Sequence, residues 1–201
     1  MAFHFQWTID FHSLQIANST SNSCGSLTRY EIERMIEISA CIQRGWFVFP
    51  AYCGKNQRAY LLNEHIEDAT DDIESIMTIC HKNPVNHWRV RLGSLSGTYV
   101  LVVSGALGRY TLSRLCGDWA CSDTLRATMG DGRQYFFLKH PYAGFFRKEA
   151  RIMRLGLQVL DEGDSIPIPC SATDSGGYPQ FENPEATIGI APGWIQRYAF
   201  L

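Results

Sequence analysis

Residues 88–104 read Trp88-Arg89-Val90-Arg91-Leu92-Gly93-Ser94-Leu95-Ser96-Gly97-Thr98-Tyr99-Val100-Leu101-Val102-Val103-Ser104. Gly93 and Gly97 bracket a polar turn between two strand-like runs, 88–92 and 98–104. The second run carries no charge and is apolar from Tyr99 to Val103, the composition of a strand buried on both faces at the centre of a sheet. Such a strand needs cover on both sides, so helices are expected against it.

Working towards the N-terminus, Thr70 caps a predicted helix whose first turn holds Asp71, Asp72 and Glu74, favourable beside the positive end of the helix dipole. Ile73, Ile76, Met77 and Cys80 form its inner face, and Asn83-Pro84 ends it. Residues 46–49 read as a short strand closed by Pro50, and 53–57 as a loop. Thr28 and Glu31 make a capping box for another helix, with Ile32, Met35, Ile36 and Ser39/Ala40 inward and Gly45 as its stop. At the start of the chain Phe3, Phe5, Trp7, Ile9 and Phe11 alternate with polar residues, His4 and His12 among them. That is a strand with one wet face, followed by a polar loop over 18–26.

Towards the C-terminus a short helix is expected near 109–116. Residues 125–129 and 134–138 then flank Gly130-Asp131-Gly132, a hairpin signal. Strands near 155–160 and 165–168 precede a Gly/Pro-rich loop and a short helix after Pro192. The order predicts an α/β (α+β) domain with a mixed central sheet flanked by helices.

With 201 residues, 45% of them hydrophobic and 19% charged, the chain is composed to bury one sizeable core, which excludes a disordered chain. No apolar run is long enough to span a bilayer and the N-terminus lacks a signal-peptide layout, so no membrane and a cytoplasmic location are expected. Seven cysteines without a C-x-x-C pair read as reduced thiols, and Cys116 with Cys121 is a poor match to a zinc site. Charge is uneven. Residues 105–155 carry nine Lys/Arg against four acids, whereas 156–201 carry one against six. This asymmetry fits a basic face for an anionic partner, or two regions that the fold brings together and cancels.

Several blocks, in this order, resemble a known family: 44–50 (Arg-Gly-Trp-Phe-Val-Phe-Pro), 68–72 (Asp-Ala-Thr-Asp-Asp), 96–104, 130–137 (Gly-Asp-Gly-Arg-Gln-Tyr-Phe-Phe), 168–171 (Ile-Pro-Cys-Ser), then Gly176, Tyr178 and Pro192-Gly193-Trp194. The order resembles the N-terminal primase/polymerase (prim-pol) domain of bifunctional replication proteins, a branch of the archaeo-eukaryotic primase superfamily. The likeness spans residues 28–201 and leaves 1–27 as an N-terminal extension packed on the domain. It implies a primase-like fold with an RRM-like catalytic half.

It also implies a two-metal site that joins nucleotides, built from Asp-x-Asp at the end of the apolar strand, a His in the hairpin and a later Asp. Carboxylates are needed because hard divalent cations take oxygen ligands. Here the matching positions read Val102 and Ser104, Gln134 and Gln158. No metal cofactor is therefore expected. Mg²⁺ or Mn²⁺ re-enters only if neighbouring acids (Asp161, Glu162, Asp164, or Asp118 and Asp123) take over. Gly130, Gly132 and Arg133 retain a phosphate-binding look, and Lys55, Arg91, Arg126, Lys139 and Ser171 occupy places where the family keeps polar or basic groups. Tyr135, Phe136 and Phe137 offer a stacking surface or simply a core. The expected function is an inactive prim-pol-like domain that still binds DNA or a nucleotide beside a replication protein partner. The alternatives are an active enzyme with relocated ligands and a protein-interaction scaffold.

Overall fold

The computed structural model describes residues 29–51, 63–82, 87–116, 124–141, 152–153, 155–169, 171 and 177–199. The chain divides into two compact units, Met1–Ile32 and Glu33–Leu201. The expected N-terminal strand and loop, the Thr28 cap, the 53–57 loop with Lys55, Asp118, Asp123 and Cys121 lie outside the described residues.

Helix α1 (Arg29–Gln43) leads to β1 (Val48–Ala51), a 3-10 turn (Asn63–Asp68), α2 (Ile73–Lys82) and β2 (His87–Arg91). Then come β3 (Thr98–Val103), α3 (Gly105–Cys116), β4 (Arg126–Thr128) and β5 (Gln134–Lys139). The chain continues through β6 (Ile152–Met153), β7 (Leu157–Leu160), β8 (Ser165–Pro167) and β9 (Gln180–Phe181) to α4 (Gly193–Ala199). The α/β class holds, but the expected single mixed sheet is two sheets, ordered β1-β2-β8 and β6-β7-β3-β5-β4-β9, with every strand pair antiparallel. Within the larger sheet, β7-β3-β5-β4 has the strand order of the RRM-like half.

The runs at 88–92 and 98–104 are strands, yet they do not pair with each other. The 93–97 turn carries the chain from one sheet into the other, and only an isolated bridge joins Gly93 to Thr98. Gly93, at φ +104°, has no room for a Cβ beside the Glu162 backbone. Pro50 lies inside β1 rather than closing it, because β1 is an edge strand where a missing N–H costs no ladder bond. Asp72, not Thr70, caps α2. Its carboxylate accepts the Glu74 and Ser75 N–H groups, while Thr70 is held extended by paired backbone bonds to Val48 of 2.9 Å each. The Ser75 hydroxyl, and after it the Ser75 N–H, both donating to the Asp72 carboxyl, hold it below the usual range. On α1 Arg34, Ile38 and Cys41 are buried and Met35 packs against the core as expected, whereas Ile32 and Ile36 are exposed, so the buried stripe is rotated in part from the expected one. Gly45, at φ +78°, ends that helix as expected.

All six residues of β3 are buried. Val100 and Val102 join a cluster with Trp46, Trp88, Val90, Phe137, Ile166 and Ile168, between the two sheets. Tyr99, Leu101 and Val103 point into a second cluster with Leu112 of α3 and Ile195 of α4. Burying side chains of this size is worth ~1.5–3 kcal/mol each, so β3 is the strand on which both cores depend. Cys41 is buried and Cys80 and Cys116 are half-buried, none of the three in a disulfide.

Candidate functional site

The end of β3 brings three of the four family positions together. Val102 lies directly opposite Gln158 of β7 on one side and Tyr135 of β5 on the other, and residues so paired share a sheet face. Ser104, two residues beyond Val102, follows on that face as the strand ends. Its N–H donates to Gly156 O at 2.8 Å and its C=O accepts from Gly108 N at 3.1 Å. Gln134 stands apart. It opposes Val103, which puts it on the other face, and its side-chain amide lies 3.5 Å from Glu182 Oε1.

Burial differs along this face, with Ser104 and Gln158 half-buried and Val102 not. Val102 is fully buried beneath the three-stranded sheet. A cavity between the sheets, lined by Trp46, Met129, Phe137, Pro169, Pro179 and Phe181 among others and by none of the four family positions, has a volume of about 10 Å³. That is room for one water molecule and not for a nucleotide. Valine offers no donor and glutamine or serine only neutral ones, so the set does not fit a pair of divalent cations. Among the described residues no cluster of three or more His, Cys, Asp or Glu side chains is placed to hold a metal.

The acids expected as substitutes lie at the far end of β7. Glu162 accepts the Ser94 N–H and hydroxyl, both at 2.9 Å, and faces Arg91 Nη2 at 3.6 Å. Burial pushes its carboxyl up, but the Ser94 bonds and Arg91 outweigh this and hold it low. Asp164 accepts the Asp161 N–H at 3.0 Å. Asp161 is fully buried, 3.4 Å from His140 Nε2, and His140 meets Tyr99 edge-on. Burial keeps His140 below its ordinary value against the pull of Glu162, and burial with Asp161 nearby raises the Tyr99 phenol. These acids serve the start of β3, three to six residues along the chain from Gln158, or ~10 Å or more at strand spacing.

The hairpin keeps its predicted shape, with Met129 N–H bonded to Arg133 O at 2.8 Å. Gly132 needs its positive φ of +79°, but Gly130 is required for another reason: a Cβ there would overlap the backbone of Gly177. Arg133 donates from Nε and Nη2 to Asp131 Oδ2, both at 2.7 Å, and its guanidinium lies over the buried Tyr135 ring at 5.8 Å. Arg126 faces Glu182 at 3.5 Å, and Thr128 donates to the same carboxylate at 2.5 Å. The basic and acidic regions of the sequence thus meet here and cancel in part. Arg91 is held by Glu67, Glu162 and the Ile66 carbonyl. Lys139 is exposed on β5.

Ser171 corrects its sequence reading. It is fully buried, and its hydroxyl accepts the Trp88 N–H at 2.6 Å, which pins the segment after β8 to β2 rather than facing a ligand. Phe136 and Phe137 are core residues on opposite faces of β5. The helix expected near 109–116 is α3, which starts four residues earlier at Gly105; what the sequence reading did not single out is its outward face with Arg109, Tyr110 and Arg114. The absence of any Asp or Glu from 105–116 was the available signal.

Two antiparallel sheets with an RRM-like strand order, and a sheet end where the resemblance puts a metal site, define a primase-type nucleotidyltransferase fold. The chain belongs to the bifunctional DNA primase/polymerase N-terminal (Prim-Pol) family, which it matches over residues 38–194. No curated protein matches the chain. Among the described residues no helix is long and apolar enough to cross a membrane.

Proposed function

We propose that the chain is a prim-pol domain that binds nucleic acid but does not join nucleotides. The observation that carries this reading is the Val102–Gln158 pair. At the place where the family positions two carboxylates, this chain has adjacent valine and glutamine side chains, and Val102 is fully buried against a second sheet. Metal-assisted charge stabilisation supplies several kcal/mol in such reactions, and each ~1.4 kcal/mol is tenfold in rate. Loss of the donors therefore removes ordinary turnover. Family membership supports retention of nucleic-acid contact, in a replication or mobile-element setting and beside a replication protein partner.

Primer extension and de novo priming with Mg²⁺ or Mn²⁺ should give no product above a no-protein control, while fluorescence anisotropy should detect salt-sensitive binding to labelled single-stranded DNA. Product formation overturns the inactive reading. Absence of binding at 50 mM salt overturns the nucleic-acid reading and favours a protein-interaction scaffold.

A further inference from the structure

Family membership does not say where nucleic acid would be contacted, and among the described elements α3 stands out by carrying two exposed arginines and no acid. Among the arginines whose side chains are described, Arg34, Arg44, Arg89, Arg91, Arg126 and Arg133 all have intramolecular partners. Arg109 and Arg114, both on α3, have none among the described residues and are exposed. The helix contains no acid. At 100° per residue, Arg109, Ser113, Ala106, Tyr110, Arg114 and Leu107 fall on one arc of about 160°. All six are exposed, with Tyr110 at 64% and Leu107 at 54%.

The opposite side of α3 is fixed to the sheet at backbone range. A Cβ on Gly108 would overlap the Gly156 carbonyl, and one on Gly156 would meet Gly108 N and Ser104 O. Thr111 Oγ1 donates to both Leu107 O at 2.9 Å and Leu155 O at 3.1 Å, tying the helix to the β6–β7 turn. In that turn Leu155 adopts φ +66°, the one non-glycine residue with positive φ among those described, and its side chain is 59% exposed. A bulky residue held in this strained conformation and turned to solvent points to a use for its side chain.

We infer that the outer face of α3, with Leu155 at its margin, is where single-stranded nucleic acid docks. Arg109 and Arg114 meet phosphates as charge complements, and Tyr110 offers the face on which an unpaired base stacks, with Leu107 and Leu155 as its apolar surround. A base in a duplex would not be free to stack, which is why the occupant is single-stranded. The inference deepens the nucleic-acid reading above and rests on it.

The test is anisotropy of a labelled 20-nucleotide oligo-dT, and of a labelled duplex, against wild type and variants whose folding is checked by thermal melting. R109A/R114A should weaken oligo-dT binding at least tenfold and flatten the plot of log affinity against log salt by about 1.4, that is, about 0.7 per lost phosphate contact. Y110A should weaken binding about fivefold or more without changing that slope. R133A should change affinity less than twofold. Wild-type binding with an unaltered R109A/R114A affinity and slope overturns the α3 assignment and leaves the nucleic-acid reading standing; no wild-type binding overturns both. Duplex bound as tightly as oligo-dT, with Y110A neutral, overturns the single-strand assignment. Should the double alanine variant melt early, R109Q/R114Q gives the same readout.

Discussion

The β4–β5 hairpin and the outer face of α3 each place arginine beside tyrosine, yet they carry charge in opposite ways. Arg133 is clamped by Asp131 and stacked on a buried ring, and Arg126 faces Glu182. Arg109 and Arg114 have no such partners among the described residues, and the tyrosine between them is exposed. Residue type is therefore a poor guide to an anion site. A guanidinium already satisfied by a carboxylate has to give up that bond before a phosphate gains it, whereas a free one does not. Beside the hairpin, the sheet face that ends at Ser104 holds the fully buried Val102 next to the half-buried Gln158.

The sharpest way to break this contrast is to place an acid at the buried Val102 position. Val102→Asp should lower unfolding free energy by at least about 3 kcal/mol, read by chemical denaturation, because an ionised carboxyl would be buried without a partner. It should not confer primer extension. A stable variant with activity would show that the face opens. Next, Gly130→Ala forces a Cβ into the Gly177 backbone and should cost about 1–3 kcal/mol. An unchanged melting temperature would mean that the hairpin moves freely enough to behave like a surface loop.

On the sheet's other side, His140 is held below its ordinary value of 6.5 by burial. Below pH 6.5 the unfolded chain binds the proton more readily than the folded one. Stability is thus complete above that pH and falls as pH drops from there to the folded value. His140→Gln should flatten this acid limb in denaturation measured from pH 7.5 to 5. The smallest effect tests the contrast directly. Asp131→Asn frees Arg133 and should raise oligo-dT affinity about two- to threefold while changing stability by no more than about 0.5 kcal/mol. No change in affinity would mean that pairing is not what silences the hairpin.

How far these features could be read in advance depends on the range of the forces involved. The apolar run of β3, the Gly130–Gly132 turn and the Gly45 stop are local signals, and each appears where the residues put it. The separation of β2 from β3 was not legible, because β2 finds its second neighbour, β8, some 75 positions later, as in the Arg89↔Pro167 pair. Gly130 looks like any turn glycine until Gly177 is brought against it, and Ser171 looks like a surface hydroxyl until Trp88 claims it. Val102 and Gln158, named from motif order as separate family positions, lie opposite each other in the register, a pairing that motif order could not give, whereas Gln134 falls on the other face. Whether Arg133 or Arg109 is free is a long-range property in the same sense: nothing within a few residues of α3 announces it except the absence of acids.

Pro50 has an effect beyond its own strand. Val48 turns its N–H outward to Thr70, and Pro50, two residues on, presents the same outer edge without an N–H to offer. A neighbouring copy seeking to extend the three-stranded sheet would meet a gap in the row of donors just where the Thr70 bridge ends. The pyrrolidine ring thereby guards this margin against chain-to-chain growth and fibril-like stacking.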